Sequence, residues 1–127
     1  MNRVYTLGGD SMVWRNEVEE LINLKTAKST SCIHPPKYEL SSTKYFQWFI
    51  SKISNCNVVI LNLDDLDDKT KYEIVAINTI NVISNKHIFV VGYGKQTDLP
   101  QFIKDVLFHT SDTIEDAVDY IVTILMA

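Results

Sequence analysis

An α/β fold, a parallel five-stranded sheet with helices on both faces, is predicted by three observations. The runs Val58-Val59-Ile60-Leu61 and Ile88-Phe89-Val90-Val91 are continuously apolar and rich in β-branched residues, as strands covered on both faces require. Strand-like and helix-like patterns alternate along the whole sequence. The connections between them are short, which implies parallel strands joined by right-handed crossovers. With 127 residues and 46% hydrophobic content, the sequence is expected to form a single domain over 1–127 whose core needs no disulfide or structural metal.

The elements follow in order. Val4-Tyr5-Thr6-Leu7 is a short strand ending at Gly8-Gly9-Asp10, and a helix then turns Val13, Val18, Leu21 and Ile22 inward. Cys32-Ile33-His34 forms a brief strand, stopped by Pro35-Pro36 because proline removes ladder donors. Ser41-Ser42-Thr43 offers caps for a helix ending near Asn55, with Tyr45, Phe46, Phe49, Ile50 and Ile53 at helical spacing. The strand from Val58 sits inside the sheet. Beyond the acidic loop Asp64 to Asp68, Tyr72, Ile74, Val75, Ile77, Ile80 and Val82 predict a long, largely buried helix. The strand Ile88 to Val91 closes at Gly92-Tyr93-Gly94. Pro100 begins a short helix through Lys104, Val106-Leu107-Phe108 is the last strand, and a helix after Thr110-Ser111 buries Ile114, Ala117, Val118, Ile121 and Ile124.

Several classes of function are disfavoured. A formal charge of −4 with scattered lysines gives no attraction for a phosphate backbone, so nucleic acid is not an expected partner. Cys32 and Cys56 lack paired zinc spacing and read as buried thiols. No apolar stretch approaches a bilayer span and no charged start leads into a long apolar run, so a cytoplasmic protein without membrane contact is expected.

In open parallel sheets ligands bind beyond the C-terminal strand ends, which selects the loops Gly8 to Met12, Asn62 to Lys71 and Gly92 to Thr97. The first can present backbone N–H groups to an anion, or it is an ordinary turn; GGDSMV is neither a dinucleotide fingerprint nor a P-loop. The second gathers Asp67, Asp68, Thr70 and Glu73 at a helix start. Thr70-Lys71-Tyr72-Glu73 fits a capping box, and a carboxylate at a helix N-terminus is also kept ionised, able to attack or to stabilise cationic carbon. The two roles are compatible.

The opening VYTLGG with Trp14-Arg15 behind it, the strand NVVILNLDD, and DDKTKYEIVAI followed by KHIFVV resemble the nucleoside 2-deoxyribosyltransferases and their relatives, the deoxynucleoside monophosphate N-glycosidases. The resemblance runs in order along nearly the whole chain and implies a doubly wound, Rossmann-like (flavodoxin-like) sheet. It also implies cleavage or exchange of the N-glycosidic bond of a nucleoside or its 5′-monophosphate, without cofactor or metal. In the family a helix-start glutamate is the nucleophile, which falls on Glu73; an acidic residue six positions earlier, associated with the base, falls on Asp67; and an aromatic ending the first strand falls on Tyr5. Gly8, Gly9, Ser11, Trp14, Asp64, Thr70 and Tyr93 are the expected substrate contacts. The resembled family completes its site across subunits, and the crowded apolar run of Phe46, Trp48, Phe49 and Ile50 suggests a homodimer or higher homo-oligomer. Lys69 stands where the family usually has glycine, Phe49 where it commonly carries a sugar-holding aspartate, and Asn57 where an aspartate often precedes the strand.

Breaking a ribosyl C–N bond builds positive charge on the anomeric carbon and ring oxygen, so a nearby carboxylate is the group the chemistry needs. A phosphoribohydrolase family related to lysine-decarboxylase-like proteins also combines a glycine-rich loop with a helix-start glutamate, but is longer and richer in glycine. The competing reading from another class is a non-catalytic module that senses or sequesters a signalling nucleotide. His34, His87 and His109 are too dispersed to suggest a metal site. Trp14, Trp48, Tyr45 and Phe46 read as core or interface residues rather than base-stacking platforms, with Trp14, which follows the first loop, having the best claim on a base.

Overall fold

The computed structural model describes residues 2–27, 29–35 and 42–126. Five parallel strands, β1 (Arg3–Leu7), β2 (Ser31–Ile33), β3 (Val58–Asn62), β4 (Phe89–Tyr93) and β5 (Leu107–Ser111), form one sheet in the order β2-β1-β3-β4-β5. The helices are α1 (Val13–Thr26), α2 (Ser42–Ile53), α3 (Asp68–Ile83), α4 (Gln101–Val106) and α5 (Ile114–Tyr120), the last continued by a π-helical turn, Ile121–Leu125. This is the doubly wound, Rossmann-like fold with flavodoxin-like strand order. Every residue of β3 is buried, because the strand lies between β1 and β4 and both of its faces are covered.

Alternation along the strands divides the core. Tyr5, Leu7, Val59, Leu61 and Val90 pack with Phe49, Ile53, Ile74, Ile77 and Ile103 of α2, α3 and α4. Val4, Val58, Ile60, Val91 and Tyr93 pack with Trp14, Val18, Ile22, Ala117 and Val118 of α1 and α5. The strand order reverses between β1 and β3, so their C-terminal ends flank the crevice where open sheets of this kind hold ligands.

Several expectations need correction. The α3 helix buries one face only: Thr70, Glu73, Ile74 and Ile77 point inward, while Tyr72, Val75 and Val82 lie on its solvent side. Val13 is exposed in the first turn of α1, and Ile124 is exposed after α5. Strand β2 begins at Ser31, which leaves His34 beyond its end. Val106 belongs to α4, because the helix that follows Pro100 runs directly into β5. Thr110 and Ser111 lie within β5, and α5 is capped by Thr113, whose hydroxyl accepts from the Asp116 N–H at 3.1 Å. Pro36 and Ser41, expected as a strand stop and a helix cap, lie outside the described residues.

Candidate active site at the β1 and β3 strand ends

The first correction at the site concerns the α3 start. Asp67, not Thr70, is the cap: Asp67 Oδ1 accepts from the Thr70 N–H at 2.8 Å and from the Thr70 hydroxyl at 2.6 Å. The helix therefore begins three residues earlier than a Thr70-Glu73 capping box requires. Glu73 lies past the first turn and is released from capping to face the core, only 3% exposed.

There it accepts a hydrogen bond from the Tyr45 hydroxyl of α2, O to Oε2 2.8 Å. Burial pushes the Glu73 carboxyl up to about 7, against the Tyr45 hydrogen bond and the Lys69 charge, which favour the anion. Asp67 raises it further and Arg15 lowers it. Lys69 spans the site from outside, its ammonium 3.8 Å from the centre of the Tyr45 ring. Tyr5 is fully buried on β1, edge-on to Phe49 at 5.6 Å, with Tyr45 the polar side chain beside its hydroxyl. Burial pushes Tyr5 far up, reinforced by Tyr45 and then Glu73, so it stays protonated. Tyr45 is raised as well, by burial first and by Glu73.

The three loops interlock. The Gly9 N–H donates to Thr70 Oγ1 at 3.3 Å, tying the loop after β1 to the first turn of α3. Asp64 Oδ1 accepts from the Lys95 N–H at 3.2 Å, tying the loop after β3 to the loop after β4. Gly9 has a φ of +59°, and a Cβ there would overlap the Asp65 carboxylate; Gly94, at +134°, lies against Asp64 in the same way. Close packing against acidic neighbours thus accounts for glycine at both positions.

Of the residues singled out in the sequence, Glu73, Asp67, Thr70, Tyr5 and Gly9 are brought together, with Gly8 packed against Asn62 beside them. Ser11 accepts from the Val13 N–H at 3.2 Å at the α1 start. Trp14 and Tyr93 stand elsewhere, packed against each other at 5.5 Å on the α1 and α5 face of the sheet, with Asp64 among the groups that raise Tyr93 after burial. The Trp14 indole N–H has no partner among the described residues. Phe49 is wholly buried between Tyr5 and Tyr45.

Two participants were not read from the sequence as site residues. Tyr45 reads from the sequence as a core or interface residue, and the structure does bury it in the core, but with its hydroxyl on Glu73. Arg15 carries no periodic signal of a role: it is 2% exposed and donates to Thr6 Oγ1 at 3.2 Å, to the Ser11 carbonyl at 2.7 Å and to the Gly9 carbonyl at 3.0 Å.

The histidines are held apart. His34 lies 2.7 Å from Thr6 Oγ1 through Nδ1 and 2.7 Å from Glu19 through Nε2, His87 packs on Phe89, and His109 stacks on Tyr120. Among the described residues no three His, Cys, Asp or Glu are placed to hold a metal, and no helix is long and apolar enough to cross a membrane. Cys56 is buried and Cys32 half-buried; burial pushes the Cys32 thiol up to about 12 and the Cys56 thiol up to about 11.

No family model matches the chain, and no curated protein matches it significantly. Among solved structures, it is similar to a chain in which amino acids 181–211 of the yeast Spc42 trimeric coiled coil are fused to another protein, with a TM-score of 0.59, 9% identity, 98% of this chain covered and 73% of that one. At that identity the likeness concerns the fold alone.

Proposed function

We propose that this chain cleaves or exchanges the N-glycosidic bond of a nucleoside or its 5′-monophosphate, with Glu73 as the reactive carboxylate, as in the nucleoside 2-deoxyribosyltransferase family it resembles. The observation that carries this reading is Glu73 itself: a buried carboxyl at the strand-order reversal, hydrogen-bonded by Tyr45 and brought to about 7. Solvent lies on the other side of the same helix, yet Glu73 faces the core.

In the proposed reaction the ionised Glu73 attacks the anomeric carbon as the C–N bond breaks, and the bonding pair leaves with the base. Tyr45, a donor to the carboxylate, steadies the anion before attack and releases it as the new C–O bond forms. Water then hydrolyses the glycosyl ester, or a second base replaces it, freeing Glu73 in either case. Asp67 manages the proton on the leaving base, a step worth about 10²–10⁴-fold. Both of its bonds to Thr70 use Oδ1, so Oδ2 takes part in neither.

The second reading, a non-catalytic nucleotide-binding module, is favoured by Phe49, which offers no acceptor to a sugar hydroxyl. The two separate on one experiment: incubation with a panel of nucleosides, deoxynucleosides and their monophosphates, followed by chromatography for free base. Release of base supports the enzyme; saturable binding without release from any member overturns it in favour of the module.

The chain is further proposed to self-associate through the outer side of α2, where Thr43, Phe46, Gln47, Ile50 and Ser51 line an open cavity of about 720 Å³. Sedimentation should give a dimer or larger at tens of micromolar, roughly where apolar patches of this kind pair. A monomer at that concentration contradicts it.

A further inference from the structure

We propose that Arg15 is a positioning residue for the Glu73 site, clamping the loop after β1 so that this loop holds the start of α3, and supplying a fixed positive charge toward the carboxylate. This rests on the reading of Glu73 as the reactive group.

The guanidinium of Arg15 is buried, yet among the described residues it forms no ion pair. A buried cation without a bonded anion is costly, and an apolar side chain of similar volume would be the cheaper filling for that space. What the guanidinium does in place of pairing is directional. Its planar fork donates to the Ser11 and Gly9 carbonyls, while Nε donates to Thr6 on β1. Three acceptors from one strand and its following loop are thereby fixed around one rigid group. The same Gly9 whose carbonyl is held by Arg15 donates its N–H to Thr70, and the Thr70 hydroxyl is bound by Asp67. Loop geometry set by Arg15 is in this way passed to the first turn of the helix carrying Glu73.

Arg15 is itself anchored from outside. Thr6 Oγ1 also meets His34, and His34 meets Glu19, so a continuous chain of polar contacts runs from the surface of α1 to the loop. The groups whose charge Arg15 feels are Tyr5, Glu73, Asp10 and Tyr45. Since both tyrosines stay protonated, Glu73 is the ionisable partner on the core side. Arg15 remains a cation throughout the neutral range, so its field favours the ionised form of Glu73.

The test uses the full chain with carbon-13-labelled glutamate, following the Glu73 carboxyl by NMR against pH in the parent, Arg15→Met and Arg15→Lys, with base release measured in parallel. Arg15→Met should raise the Glu73 midpoint by about half a unit, which cuts the ionised fraction at neutral pH about twofold. Base release should fall at neutral pH and partly recover as pH rises. Arg15→Lys keeps the charge but not the fork: the midpoint should stay near the parent value while the Gly9 and Thr70 amide signals move. An unchanged midpoint in Arg15→Met, or equal midpoint changes in both variants, overturns the proposal. Should Arg15→Met fail to fold, Arg15→Lys decides, and unmoved Gly9 and Thr70 amides overturn it. If no protein releases base, the enzymatic reading fails while the NMR midpoints still decide the role of Arg15.

Discussion

Replacing Glu73 by glutamine should make the protein more stable than the parent at alkaline pH, and the size of the effect follows from the burial of the carboxyl. The carboxyl titrates at about 7 when folded, against an ordinary value of 4.5. Between these values the folded chain keeps a proton that the unfolded chain gives up. Stability from this group is therefore fully present below about 4.5 and is lost as pH rises through about 7. At about 1.4 kcal/mol for each tenfold difference in proton affinity, the gap amounts to about 3 kcal/mol. Because the side chain is only 3% exposed, solvent screening takes little from that figure. Glutamine keeps an oxygen to accept from Tyr45 and carries no charge to bury. Urea unfolding of parent and Glu73→Gln at matched pH, from about 4 to about 8, cancels the titration of every other group. The variant should gain about 3 kcal/mol on the parent across that span. A flat difference, or a parent that gains on the variant as pH rises, would refute the reasoning, since Glu73 would then be solvated or paired rather than buried with a raised affinity for its proton.

Tyr45→Phe removes the hydroxyl that donates to Glu73 at 2.8 Å, so the Glu73 midpoint should move above about 7. Its destabilisation, about 1–3 kcal/mol, should be larger on the alkaline side, where the acceptor is charged; denaturation at two pH values reads both. Asp67→Ala should cost about 0.5–2 kcal/mol through the lost cap and Asp67→Asn much less, measured by thermal melting. If Asp67 handles the proton of the leaving base, both variants slow base release alike; if it only caps α3, Asp67→Asn retains parent activity.

The central strands were legible because a parallel sheet covers both faces of β3, and only an unbroken apolar run such as Val58 to Leu61 satisfies that. The outer face of α3 was not. Val75 and Val82 are apolar yet exposed, so apolar residues on both sides of the helix blur its inward direction. Short apolar runs are ambiguous between helix and strand, which is why Val106 reads with the last strand from sequence but closes α4 in the structure. At the α3 start, aspartate and threonine are both good caps, and nothing local in Asp67-Asp68-Lys69-Thr70 distinguishes them; the choice determined whether Glu73 capped a helix or entered the core. The Tyr45 to Glu73 bond joins residues 28 positions apart and depends on how α2 packs on α3, a tertiary fact without local pattern. Arg15 was silent for a related reason: its acceptors are mostly backbone carbonyls, which carry no side-chain signature.

The reactivity of Glu73 is tested most directly by the rate of base release, on any nucleoside the parent cleaves, in the parent and Glu73→Gln across pH. The parent rate should climb as pH rises through about 7, because only the ionised carboxyl attacks. Glu73→Gln should be slower by roughly two or more orders of magnitude at every pH while remaining folded. Equal rates in the two proteins would contradict the account and leave Glu73 a buried structural acid.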